Sequence, residues 1–306
     1  MALLLDRLAL RPDHPRHPQL RKPPPLSPPK SPRLITSPPS AQDRSITDLY
    51  WNTDYIHALS NDAGRTMMGS RQENWFYNAL SASAARGAAW RLIGSQTVFS
   101  RMNQSLALGN VNPLNYDAWD GYQANRNRTL HHLYANNISN NIMLAGDSHA
   151  AWVSDLVWLG EKAYDPETGA GGLGVEFAGS AVSSPCPYGQ NITIASANNY
   201  SDWLEAANPE LHWNDLYYRG YFELHIGYEE VQAEYFGLPT IVTRNPYEIS
   251  LANFTVRHGE GRLQRPVAGG VAESGSLKGG VVRQTNATVD TETGRWFVSH
   301  FDQEDI

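Results

Sequence analysis

The chain's apolar positions fall into short runs separated by polar and glycine-rich loops, and two kinds of period alternate. Ile142 to Ala145 is a run of four apolar residues, the pattern of a buried strand. It stops at Gly146 and delivers Asp147 and His149 two residues apart. The following stretch, Ala150 to Leu159, places Trp152, Leu156 and Leu159 at helical spacing, so the reading there is strand, polar loop, helix. Upstream, Ser70 can cap a helix with Glu73 at the matching position of a capping box. That helix carries Trp75, Phe76, Ala79, Leu80 and Ser83 and precedes a strand over Trp90 to Ser95. A second helix, with Leu130, Leu133 and Tyr134, leads into the strand ending at Asp147. Two successive helix–strand units predict an α/β layer architecture.

From about residue 175 the pattern turns to β. Val175 to Ala178 reads as a strand, and Tyr217 to Ile226 and Val231 to Phe236 as a hairpin turning near Gly227-Tyr228. Residues 249–256 alternate as well, and the Gly-, Thr- and Val-rich tail after Gly259 reads as loops and strands. At the other end, residues 1–42 hold Pro23-Pro24-Pro25, Pro28-Pro29 and Pro38-Pro39. Such a segment is expected to stay extended or disordered, with globular character, the domain 43–306, beginning near Asp43.

Composition changes this picture little. The 306 residues are 41% hydrophobic and 18% charged, enough for a sizeable core, and the net charge of −7 gives no electrostatic footprint for nucleic acid. No segment approaches the ~18 apolar residues of a membrane span. The single cysteine, Cys186, excludes an intrachain disulfide and a Cys-based zinc site; between Pro185 and Pro187 it reads as an inert thiol. Seven Asn-x-Ser/Thr sequons, at Asn103, Asn127, Asn137, Asn191, Asn199, Asn253 and Asn286, fit a secreted glycoprotein. Met1 to Arg7 is too short in apolar residues for a signal peptide. Nothing in the sequence sets an oligomeric state.

The candidate chemistry sits at the end of the Ile142 strand, because ligands in open α/β sheets bind beyond the carboxyl ends of strands. Asp147 offers a hard oxygen ligand, and His149 can bind metal, bind phosphate as the cation or move a proton. A turn Asp beside a buried His is the plain alternative. Asp120 reads better as a loop stabiliser than as a ligand. His131 and His132 point about 100° apart on a helix and make a poor chelating pair.

Several motifs stand in one order: Asp43-Arg44, Arg65-Thr66-Met67-Met68-Gly69 with Gln72 and Trp75, Gly94-Ser95-Gln96, Trp119-Asp120-Gly121-Tyr122, Gly146-Asp147-Ser148-His149, Phe177-Ala178-Gly179-Ser180 with Ser183-Ser184, and Arg219-Gly220-Tyr221. Over roughly residues 43–260 the set resembles the carboxy-terminal part of alkaline phosphatase D, the PhoD-like metallophosphatases, and looks closest to fungal secreted members. The resemblance implies a calcineurin-like α/β sandwich, two β-sheets flanked by helices. It also implies an iron and calcium cluster that hydrolyses small-molecule phosphate monoesters and diesters. It places Asp147 and His149 at the metal, with His149 as the catalytic candidate; Arg65 could bind phosphate or simply hold its loop.

The family's upstream ligands have no counterpart in residues 1–42. The resemblance therefore implies an amino-terminally truncated domain with impaired activity. The rival expectation is a non-enzymatic glycosylated scaffold or binding protein.

Overall fold

The computed structural model of the chain describes residues 4–5, 53–108, 114–182, 184–241, 248–270, 287–290 and 295–298. The Asp43-Arg44 motif, Ser183 and most of the Pro-rich lead lie outside the described residues.

A six-stranded sheet forms the centre. Its strands are β1 (Leu4–Leu5), β2 (Arg91–Gly94), β3 (Asn141–Ala145), β4 (Ala151–Asp155), β5 (Val175–Ala178) and β6 (Leu211–Asp215), in the spatial order β1-β2-β3-β5-β4-β6. β2, β3 and β5 run parallel, while β4 lies antiparallel between β5 and β6. Two residues of the Pro-rich lead, β1, pair antiparallel with the β2 edge. A second sheet is a meander of β7 (Gly220–Ile226), β8 (Glu230–Gly237) and β9 (Ile249–Arg257). A separate antiparallel pair, β10 (Ala287–Asp290) and β11 (Arg295–Val298), follows in the tail.

The layers follow from the side-chain period of two. Alternate residues of β8 and β9, Val231, Ala233, Tyr235, Phe254 and Val256, face Ile142, Val153, Phe177 and Trp213 of the large sheet in one apolar layer. The other face of the large sheet is covered by helices. α1 (Thr53–Ser60) and the short α3 (Ser105–Leu108) accompany three longer ones, α2 (Gly69–Ala85), α4 (Gln123–Ala135) and α5 (Ile194–Ala207). Phe76 and Leu80 of α2 meet Leu130 and Leu133 of α4 over Ile93 and Met143, and α5 sets Ala197 and Leu204 against Trp152 and Ala178. The expected α/β sandwich is present, with the described helices on one side and the three-stranded sheet on the other.

Three local readings need correction. Residues 150–159 are not a helix, because Ala151–Asp155 is strand β4. All five of its residues are buried, with Ala151 and Val153 in one apolar layer and Trp152 in the other, so apolar spacing carries no period there. The capping box at Ser70 does not form. The helix starts at Gly69, whose N–H donates to Thr66 Oγ1, and Glu73 is taken by Arg128 of α4 at 2.6 Å and by the Tyr77 hydroxyl. A buried pairing with a neighbouring helix outcompetes a local cap at the surface. The β-rich half also contains α5, whose start is marked by Thr193 accepting from the Ser196 N–H. Trp75, as expected, lies on α2, where it is exposed.

Two motif glycines are explained by close backbone approach. A Cβ on Gly121 would stand 2.0 Å from the Tyr116 carbonyl oxygen, and one on Gly220 would stand 1.9 Å from that of Phe236. Gly121→Ala is therefore expected to destabilise the fold by about 3 kcal/mol, read from urea unfolding. A variant as stable as the parent would show that the turn over Trp119–Tyr122 yields easily.

Candidate active site

β3 ends between its two parallel neighbours. The Ser95 N–H donates to the Leu144 carbonyl on one side, and the Gly179 N–H to that of Ala145 on the other. The chain then leaves the sheet at Gly146 and must reverse within five residues to enter β4. It does so through two left-handed residues, Asp147 at φ 69° and His149 at φ 58°. Asp and His are among the few side chains that enter this region readily. Ser148 braces the reversal: its N–H donates to the Gly146 carbonyl, its hydroxyl donates to the Ala150 carbonyl, and the Trp152 indole N–H donates to that hydroxyl at 2.8 Å.

Asp147 is exposed and His149 half-buried. Among the described residues neither side chain has a hydrogen-bond or ion-pair partner. The loop thus presents a free carboxylate and a free imidazole at the carboxyl end of a central strand, the position where α/β sheets hold ligands.

The other candidates fall elsewhere. Arg65 donates its Nε to the Gly121 carbonyl at 2.7 Å and lays its guanidinium over the Tyr122 ring, 4.3 Å from the centroid. Its loop is tied to α4 by Asn125, which accepts from Thr66 and from the Met67 N–H. Asp120 is a buried ion-pair partner of Arg126 at 2.6 Å. His132 stacks on Tyr77 and bonds Ser81, while His131 meets Trp158, so the two imidazoles serve different neighbours. Cys186 is buried, and burial pushes its thiol up, away from a reactive thiolate.

Of the sequons, Asn137, Asn191, Asn199 and Asn253 are exposed. Asn103 and Asn127 are half-buried, and Asn286 lies outside the described residues.

The remaining buried charges hold the frame. Glu176, in the middle of β5, accepts the N–H groups of Phe99 and Ser100 at 2.6 and 2.8 Å, fastening the loop after β2 across the sheet. Burial raises its carboxyl despite those two donors. At the opposite end of the sheet from Asp147, Asp155 gathers Tyr164, Arg265 and the Leu263 N–H. The loop after β2 borders the site: the Ser95 N–H donates to the Leu144 carbonyl, and a Cβ on Gly146 would lie 3.9 Å from the Gln96 carbonyl oxygen. Gly94-Ser95-Gln96 ends an apolar strand as Gly146-Asp147 does, and that parallel is the signal for it.

Among the described residues no group of three or more His, Cys, Asp or Glu side chains converges. Calcium alone takes about six to eight oxygen ligands. Asp147 and His149 by themselves do not fit the iron and calcium cluster that the resemblance implied.

An α/β sandwich with an acid and an imidazole at the end of a central parallel strand is the frame of a ligand-binding α/β protein. The comparisons identify which kind. The family model for PhoD-like phosphatase matches residues 32–235, and the chain belongs to that family. It is 28% identical over 224 residues to alkaline phosphatase D of Bacillus subtilis (strain 168), a stretch covering 72% of this chain and 35% of that protein. A solved structure described as the structure of PhoD superposes with a TM-score of 0.55 at 26% identity, covering 71% of this chain and 39% of its own. The chain thus spans little more than a third of the length of the relatives it matches.

Proposed function

We propose that the chain is a phosphoric ester hydrolase, with the phosphoryl group met at the Asp147–His149 loop. The supporting observation is the carboxylate and imidazole, unpartnered among the described residues, that two left-handed residues hold out beyond β3. His149 can hold a phosphoryl oxygen as the cation or pass a proton to the departing alcohol oxygen. Asp147 can orient a metal-bound or hydrogen-bonded partner. Arg65 is the weaker part of this assignment: its Nε is committed to Gly121, so the outer edge of its guanidinium is what would reach phosphate. The described ligands amount to one carboxylate and one imidazole, so turnover by this chain is expected to be weak, and iron or calcium would need ligands beyond these two to bind here. The exposed sequons support a glycosylated, secreted protein, which a mass shift on endoglycosidase treatment would test. Among the described residues no helix is long and apolar enough to cross a membrane.

The test is p-nitrophenyl phosphate turnover together with inorganic phosphate titrated against the His149 imidazole resonances. Asn enters left-handed backbone readily, so Asp147→Asn and His149→Asn should stay within about 0.5 kcal/mol of the parent. Each is expected to cut turnover about 100-fold. Turnover untouched by both substitutions would remove the assignment.

A second reading, a scaffold without turnover, is supported by the buried charge networks, which are satisfied by protein groups alone. It predicts a cooperative melt whose Tm a chelator leaves unchanged. A chelator-dependent drop in Tm would count against it, because a metal that binds the native state stabilises it.

A further inference from the structure

A cleft of about 240 Å³ opens beside the candidate site, between the start of α2 and the carboxyl ends of β2 and β3. Among the described residues its lining contains no charged side chain. Met67, Met68, Met143 and Trp119 are among its apolar lining residues, and Gln72 and Gln96 bring polar groups. Trp119 is a fixed wall: it is 6% exposed, and its indole N–H donates to Ser95 Oγ at 3.2 Å. Met67 and Met68, half-buried, are the opposite: unbranched, polarisable thioethers that adapt to aromatic and branched guests, over a floor that includes the buried Met143.

The cleft is joined to the Asp147–His149 loop through the backbone. β2 and β3 are in register, with Gly94 opposite Leu144, so Ser95 and Gln96 leave the sheet beside Ala145 and Gly146. A Cβ on Gly146 would lie 3.9 Å from the Gln96 carbonyl oxygen. An uncharged cleft cannot compensate a phosphate dianion, which belongs with the His149 imidazole of the loop. What suits the cleft is a neutral, apolar body whose polar end reaches the neighbouring loop.

We propose that this cleft receives the alcohol portion of the phosphate ester and selects esters of aryl and branched alkyl alcohols over polyol phosphates. The proposal rests on the phosphoester reading above. Gln72 and Gln96, uncharged, would meet the ester or ring substituents without competing for the phosphoryl charge.

The methionines provide the readout. Of the five in the chain, Met67, Met68 and Met143 line the cleft, while Met102 is buried in a different apolar cluster and serves as the internal control. The full chain, labelled with 13C at the methionine methyls, would be titrated with 1-naphthyl phosphate, 1-naphthol, glycerol phosphate and inorganic phosphate.

Both naphthyl ligands are expected to shift the three cleft methyls and leave Met102 in place. 1-Naphthyl phosphate is expected to bind at least about tenfold tighter than glycerol phosphate, the gain from burying its ring. Met68 is half-exposed, so Met68→Glu should fold, and it should remove the response; Met68→Leu, which keeps the volume, should retain it.

Cleft methyls silent to both naphthyl ligands, Met102 moving with them, or a response surviving Met68→Glu would overturn the proposal. If glycerol phosphate and inorganic phosphate move the His149 imidazole while the cleft stays silent, the phosphoester reading stands and the cleft assignment falls. If 1-naphthol binds but its phosphate gains nothing and His149 does not move, the cleft is an apolar site unconnected with ester chemistry, and the substrate assignment falls with the phosphoester reading.

Discussion

Asp155→Ala is expected to cost the fold about 3–5 kcal/mol, the range for removing one partner of a buried charge pair. Asp155 ends β4 with no exposed surface. One oxygen accepts the Leu263 N–H at 2.8 Å; the other accepts the Tyr164 hydroxyl at 2.8 Å and Arg265 Nη2 at 2.7 Å. His212 stands 3.4 Å from the same oxygen. Without the carboxylate, the Arg265 guanidinium, 14% exposed, loses its counter-charge and the segment after β9 loses its fastening.

The pH dependence has a defined sign. Burial alone would raise this carboxyl, but the hydrogen bond and charge of His212, the charge of Arg265 and the Leu263 N–H together hold it below its ordinary value. A depressed folded-state value means the contribution is full above the unfolded value of 3.8 and is lost as pH falls through the folded one. Urea unfolding of the parent and Asp155→Asn at a series of pH values checks this. The gap between them should be widest near pH 7 and close below about pH 4. A gap independent of pH would show that Asp155 is not the charged member of the cluster.

Asp120→Ala should be comparably damaging, again about 3–5 kcal/mol, for a reason unrelated to chemistry at the active site. Asp120 and Arg126 are 3% and 7% exposed at the side chain and meet at 2.6 Å. Asp120 also draws in the Met102 N–H at 3.4 Å, and Arg126 reaches the Phe99 carbonyl at the same distance. The single substitution strands a guanidinium in the interior. The double variant Asp120→Ala/Arg126→Met removes the stranded charge and refills the space, so it should be about 1–4 kcal/mol more stable than Asp120→Ala alone. Equal losses in the single and double variants would mean that Asp120 acts through something other than Arg126. Recovery of stability in the double variant also separates this acid from Asp147, whose replacement should leave stability in place and affect phosphate alone.

The family and the sandwich were legible in the sequence because motif order and the period of two survive without any knowledge of partners. Phe222 and Leu224 alternate with exposed Tyr221, Glu223 and His225 along β7, and Val231, Ala233 and Tyr235 are the buried set along β8, so the hairpin follows from which face must be dry; Ile226, at the end of β7, is exposed. The strand ending at Gly146 was visible as an apolar run closed by a glycine and an acid. β4 was not, because a strand buried on both faces shows no alternation and shares its composition with a buried helix.

The roles of the polar motif residues were least legible. Glu73 at a capping position, Asp120 between aromatics and Arg65 in a loop look equally suited to chemistry or to structure. Only Arg128 and Arg126, brought in by the packing of α4, decide that Glu73 and Asp120 hold the frame, while the Gly121 carbonyl takes up the Nε of Arg65.

By itself the sequence determined the class of fold, the α2–β2 and α4–β3 units, β5, the β7–β8 hairpin, the alternation of β9, and the acid and imidazole at the end of β3, since each depends on residues near one another in the chain. Only the tertiary structure decided that Asp147 and His149 emerge in left-handed backbone without partners among the described residues, that a methionine-lined cleft lies beside the ends of β2 and β3, and which buried acids are framework. Those properties depend on side chains tens of residues apart meeting in a low-dielectric interior, where a charge is retained only with a partner.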